Sequence, residues 1–113
     1  MDSLDQDVLD RLGRDMGGEA AVTRILSMYV GKLPGEISGL NAHADSGDLG
    51  ALTENAHRMK SSTAMLGATR LAGLLAELEA SAKAGDADAA AGWLREIEGE
   101  APRVEEAMRV RIG

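Results

Sequence analysis

Cysteine and phenylalanine are both absent from this 113-residue chain, which has one Trp, one Tyr and two Pro. Without cysteine there is no disulfide framework, no thiol nucleophile and no cysteine-based metal site. With so few aromatics, the core falls to Leu, Ala, Met, Ile and Val. Those residues, with Glu, Arg and Lys, favour helix, and strand-favouring types are scarce. Positive charge is also short. Twelve Lys and Arg against 19 Asp and Glu give a net charge of −7 and a pI near 4.7. That excludes the basic footprint of a nucleic-acid binder and disfavours an anionic membrane surface. No apolar run approaches the roughly 20 residues that a membrane span needs. The opening MDSLDQDVLD lacks the basic and apolar regions of a signal peptide. A cytoplasmic, reduced setting is expected, with neither membrane nor nucleic acid as partner.

What the chain does have is helical periodicity between Gly and Asp breaks. Breaks fall at RDMGGE (14–19), ADSGD (44–48), LGA (66–68) and KAGDAD (83–88). Gly permits a left-handed C-terminal cap, and Asp or Ser supplies the next N-cap. Between them, apolar residues recur three and four apart. One stripe runs through Val22, Ile25, Leu26, Tyr29, Leu33, Ile37 and Leu40, and another through Leu52, Ala56, Met59, Thr63 and Leu66. A third holds Leu71, Leu74, Leu75 and Leu78, and a fourth Trp93, Leu94, Ile97, Val104 and Met108. Each helix therefore buries one face. The size fits one domain spanning residues 1–113. The expected fold is all-α: an antiparallel up-down four-helix bundle, with a short extra N-terminal helix over Leu4 to Leu12. Pro34 and Pro102 fall inside two of the helices, where kinks are expected because the stripes continue past them. The six Met residues read as core filler. The carboxylates Glu77, Glu79, Glu96, Glu98 and Glu100 read as solvated faces.

His57 lies one step, about 100°, from the stripe residue Ala56, on a flank that should meet solvent. Its neighbours three and four residues away are Thr53, Glu54, Lys60 and Ser61. A neutral imidazole nitrogen is a nucleophile near neutral pH. It can take a phosphoryl group and hold it as a phosphoramidate. Lys60 is a flexible positive charge within reach of the phosphoryl oxygens. Small Ser61 leaves room for a partner's active site. Phosphoryl transfer relies mainly on positioning and electrostatics, and no metal cluster is visible here, so the partner would bring the Asp and Mg²⁺. No cofactor or metal of the chain's own is expected. The alternative is a plain exposed histidine with a lysine one turn on. His43, beside a Gly-rich turn, is a weaker second acceptor because it has no lysine three residues on.

The stretch AHRMKSSTAMLGATRLAGLLAELE (56–79) resembles the signature of histidine phosphotransfer domains. The matching positions are Ala56, His57, Met59 and Lys60, then Leu66-Gly67-Ala68, Leu71 and the closing Leu78-Glu79. SGDLGALTENAH before it and ASAKAGD after it are similar to the family's entry and exit, and the resemblance covers nearly the whole chain. It implies phosphorylation of His57 at Nε2, steadied by Lys60. It implies phosphoryl exchange with Asp residues of response-regulator receiver domains in two-component phosphorelays, and a histidine kinase or hybrid kinase as a further partner. No kinase activity of the chain's own is implied. Two departures stand out: Ser61 replaces the family's usual Gly, and the usual aromatic near the site is missing. A docking patch by family analogy comprises Leu12, Met16, Val22, Ile25, Arg58, Ser61, Ser62 and Met65. A monomer is expected, because the active face must stay free.

Three other functions compete. A bundle that binds a receiver or kinase without carrying phosphate would tolerate loss of His57. A structural subunit would need a large exposed apolar patch. A metal-binding bundle would need more than the single Glu-x-x-His spacing of Glu54 and His57.

Overall fold

The computed structural model describes residues 2–113. Five helices follow one another: α1 (Gln6–Met16), α2 (Glu19–Asp45), α3 (Leu49–Met65), α4 (Thr69–Lys83) and α5 (Ala87–Ile112). There is no strand among the described residues. The breaks read from sequence are the turns, and their chemistry repeats. Gly47, Gly67 and Gly85 each follow a helix with φ between +73 and +80°. In each case the glycine N–H and the next N–H donate back to carbonyls of the preceding turn, as from Gly67 to Ala64 and from Ala68 to Thr63. This is the Schellman closure, which needs a left-handed residue at its corner. Asp48 and Asp86 then accept a backbone N–H from Ala51 and Ala89 and start α3 and α5. Asp5 does the same for α1, through Asp7.

Packing follows the stripes. α2 lies against α3, α3 against α4, α4 against α5 and α5 against α2, a closed ring of neighbours, with α1 resting on α2. Leu26, Leu33, Leu40, Leu52, Leu71, Leu75, Leu78 and Ile97 are wholly or almost wholly buried between them. The 27 residues of α2 span about 40 Å at 1.5 Å per residue, which sets the 42 Å long axis. No helix among the described residues is long and apolar enough to cross a membrane. Thr63 sits on the buried stripe because its hydroxyl is satisfied: it shares a 2.6 Å hydrogen bond with the Tyr29 hydroxyl across α2 and α3.

Several expectations need correction. The first helix runs from Gln6 to Met16, beginning later than Leu4, because Asp5 caps it and Gly17 ends it. Leu4 precedes it and is still buried. α2 and α5 run on through Pro34 and Pro102 without ending, in keeping with the stripes that continue past them. Met59 and Met108 are core residues, but Met16, Met28 and Met65 are about half exposed or more. Glu100 is not on a solvated face. It is 2% exposed, and neither carboxylate oxygen has a hydrogen-bond partner among the described residues. Its compensation is ionic, from Arg70 Nε at 3.5 Å and Arg103 at 3.8 Å.

Arg70 therefore neutralises a buried charge and couples α4 to α5. Arg70→Ala is expected to cost about 2 kcal/mol. That is below the roughly 3–5 kcal/mol for breaking a fully buried pair, because Arg70 is partly exposed. A urea midpoint unchanged from wild type would show that Glu100 does not depend on it.

Candidate functional site

The site is built on the middle of α3 and completed from α4. Asp48 fixes where α3 begins, and burial of Leu52, Ala56, Met59 and Thr63 fixes its rotation. His57, one step round, is thereby held at the surface, with its side chain 64% exposed. Lys60 lies one turn further on the same flank. Between them sits a residue that the sequence reading placed in bulk solvent. Glu79, on α4, is only 20% exposed and reaches across to α3. Its Oε2 lies 2.8 Å from His57 Nδ1, and its Oε1 accepts a 2.7 Å hydrogen bond from Lys60 Nζ.

This geometry assigns the ring's proton. An ionised carboxylate only accepts, so the proton shared with it belongs to Nδ1. In the neutral ring the lone pair is then on Nε2. The Glu79 carboxyl is held below the ordinary carboxylate range, first by the hydrogen bond from Lys60 and then by that from His57, against the opposing effect of burial. It is therefore ionised at neutral pH. A lowered value stabilises the fold above the usual carboxylate range, and that contribution fades as pH falls through the lowered value.

The remaining residues separate into groups. Ser61 is exposed one turn beyond His57. Arg58 is exposed on the other side and donates to Asn55 Oδ1 at 3.2 Å, with Glu36 at 3.9 Å. A groove between α2 and α3 brings Ile25, Arg58, Ser62 and Met65 together. Its lining also includes Met28, Tyr29, Lys32 and Glu36, which sequence reasoning left out. Leu12 and Met16 lie on α1, half-buried and exposed respectively, and do not line it. Val22 must be withdrawn from the docking patch: it is completely buried beneath α1, where its side chain meets Gly13, so it offers a partner no surface. His43 is in the last turn of α2, half-buried beside the Gly47 turn. Glu54 is exposed.

Glu79 was missed because 22 residues separate it from His57. The available signal was its place directly after the stripe residue Leu78, which puts it on the edge of α4 that borders α3.

A family model for the Hpt domain matches residues 24–107, from the first third of α2 to near the end of α5. The chain is 34% identical over 83 residues to the phosphorelay protein LuxU of Vibrio cholerae, covering 74% of this chain and 73% of that one. The fold is similar to the crystal structure of histidine-containing phosphotransfer protein B (HptB) from Pseudomonas aeruginosa PAO1. The TM-score is 0.91 at 30% identity, over 97% of this chain and 94% of that one. The structural likeness therefore takes in α1, which the family match omits. An exposed histidine fixed by a neighbouring helix, on an all-helical scaffold that matches in both sequence and shape, places this chain in the histidine phosphotransfer (Hpt) domain family.

Proposed function

We propose that the chain accepts a phosphoryl group on His57 Nε2 and exchanges it with the phosphorylated Asp of response-regulator receiver domains in a two-component phosphorelay. The observation that carries this reading is the exposed ring whose Nδ1 is occupied by Glu79, leaving Nε2 as the nucleophile, with Lys60 beside it. In the forward step the Nε2 lone pair forms the N–P bond. The acyl-phosphate O–P bond breaks, and its electron pair returns to the receiver's carboxylate. Lys60 steadies the phosphoryl oxygens. The receiver supplies the Mg²⁺, and this chain needs no cofactor. Ser61 is small enough to let the receiver close over the ring. The ring of contacts among α2–α5 supports an antiparallel up-down four-helix bundle as the scaffold. The working form is a monomer, with a histidine or hybrid kinase as a second class of partner.

In this reading the α2–α3 groove beside His57 receives an apolar surface of the receiver, with Ile25, Met28 and Met65 as contacts and Lys32 and Arg58 as rim charges. Incubation with a phosphorylated receiver domain, followed by intact mass, tests it: the chain gains one acid-labile phosphoryl group. Arg58→Glu is expected to slow that exchange about tenfold, because a rim charge acts mainly on association. Labelling from phosphoramidate, which needs no docking, stays at the wild-type rate. Equal receiver rates would remove Arg58 from the interface.

A further inference from the structure

We infer that Met28 and Met65 form a paired oxidation site, through which a hydroperoxide switches off receiver docking and leaves the phosphoryl chemistry of His57 intact. The inference rests on the reading of the α2–α3 groove as the receiver's contact surface. Three observations carry it. Met28 on α2 and Met65 on α3 line the same groove, and they are 57% and 58% exposed. Every leucine of the chain is buried or half-buried, so the long apolar side chains left open at the groove are the two with sulfur. The chain has no cysteine, which makes the thioethers its oxidisable sulfurs.

The step is a two-electron oxygen transfer. With hydrogen peroxide, a lone pair on the thioether sulfur attacks one peroxide oxygen. The S–O bond forms as the O–O bond breaks. The transferred oxygen gives up its proton, and the departing oxygen takes one up and leaves as water. Sulfur is oxidised and peroxide is reduced. The sulfoxide is polar, and methionine sulfoxide reductases return it to the thioether, so the change is reversible.

Its effect falls on docking. A thioether is flexible and polarisable, suited to filling irregular space beneath a partner. A sulfoxide oxygen in the same place is either buried without a donor, which is costly, or keeps the receiver off both walls of the groove. His57, Lys60 and Glu79 are not part of the groove lining, so the ring keeps its hydrogen bond to Glu79. Arg58 does line the groove and is the next residue after His57, which sets the two sites side by side. Access sorts the remaining sulfurs. Met59 belongs to the groove floor but is 4% exposed, and Met108 is fully buried. Met16 is about half exposed on α1, outside the groove, and serves as the control.

The chain would be treated with hydrogen peroxide, freed of it, and mapped by peptide mass. Each preparation would then be labelled with phosphoramidate and, separately, from a phosphorylated receiver domain. Treated wild type is expected to carry sulfoxide at Met28 and Met65 and to take label from phosphoramidate at the untreated rate. Exchange with the receiver is expected to be about tenfold slower, the weight of an apolar anchor lost from an interface. Reductase treatment restores it. The double variant Met28→Leu, Met65→Leu, compared with its own untreated form, keeps its exchange rate through peroxide treatment, whereas Met16→Leu gives no protection. The urea midpoint of treated wild type matches that of untreated chain, because the core sulfurs have not reacted. A loss of exchange that tracks a loss of stability, or a parallel loss of phosphoramidate labelling, would overturn the inference. So would Met28 and Met65 that resist peroxide, sulfoxides there with receiver exchange unchanged, or a double variant inhibited as wild type is. In each of these cases labelling of untreated wild type leaves the carrier reading standing. If untreated wild type takes no label at His57 from either donor, that reading falls and the inference falls with it.

Discussion

His57→Gln should abolish phosphoryl acceptance, lowering labelling from any donor by at least roughly a thousandfold, as loss of a nucleophile does. It should do so without unfolding the chain. The ring is 64% exposed, and its one hydrogen bond among the described residues is to Glu79, which the Gln amide can also donate to. Exposed substitutions of this kind move stability by no more than about 0.5 kcal/mol. The mutant therefore separates chemistry from folding. His43→Gln, made in parallel, should label like wild type, because His43 sits at the end of α2 by the Gly47 turn, whereas the Glu79 and Lys60 network is built around His57. Residual labelling of the His57 variant at the wild-type rate would move the acceptor elsewhere. A His57 variant that still binds receivers as wild type does would leave docking intact and locate the loss in the chemical step.

The second large effect is on the scaffold. Gly67→Ala should destabilise the fold by about 3 kcal/mol, combining the roughly 1–2 kcal/mol of a left-handed non-glycine residue with the cost of overpacking. Gly67 has φ +80°, and a Cβ there would come within 2.8 Å of the Asp5 carbonyl oxygen and 3.3 Å of Val8 Cβ. A backbone oxygen cannot rotate away as a side chain can. Gly67 also accepts a 2.8 Å hydrogen bond from the Asp5 N–H, the tie that fastens the start of α1 to the α3–α4 turn. The expected outcome is a melting temperature lower by on the order of 10 °C, with α1 the first part to lose amide protection. An unchanged melting temperature would mean that α1 is not anchored there. Against a total stability of about 5–15 kcal/mol, this one methyl group is a large fraction.

These two residues also show how far the sequence could be read. Gly67 was legible because a glycine after a helical stripe has one common use, and the three Gly turns at 47, 67 and 85 all close their helices in the same way. His57 was legible because its position follows from its neighbours: once Ala56 and Met59 are buried, residue 57 must lie at the edge of the interface. Periodicity gave the rotation of each helix but not the partner across it. Glu79 and Glu100 carry the same side chain and similar local sequence, and both were read as solvated. One completes the site from α4, and the other is buried against Arg70. Their fates depend on which helix lies alongside, a property of the assembled ring and not of the local stretch. The docking surface divides for the same reason. Val22 lies on an apolar stripe, as Ile25 does, but α1 covers the first and leaves the second at the groove. Met28 and Lys32 became visible only when α2 and α3 were placed side by side.

The central claim is that His57 takes the phosphoryl group through Nε2. The most direct measurement is phosphorus–nitrogen coupling by NMR on chain labelled with ¹⁵N-histidine and phosphorylated with phosphoramidate. The account predicts one new coupling, to Nε2 of His57, with Nδ1 of the same ring still protonated and the His43 ring unchanged. A phosphoryl group on Nδ1 of His57 would contradict the role assigned to Glu79 in directing attack, and one on His43 would contradict the site itself.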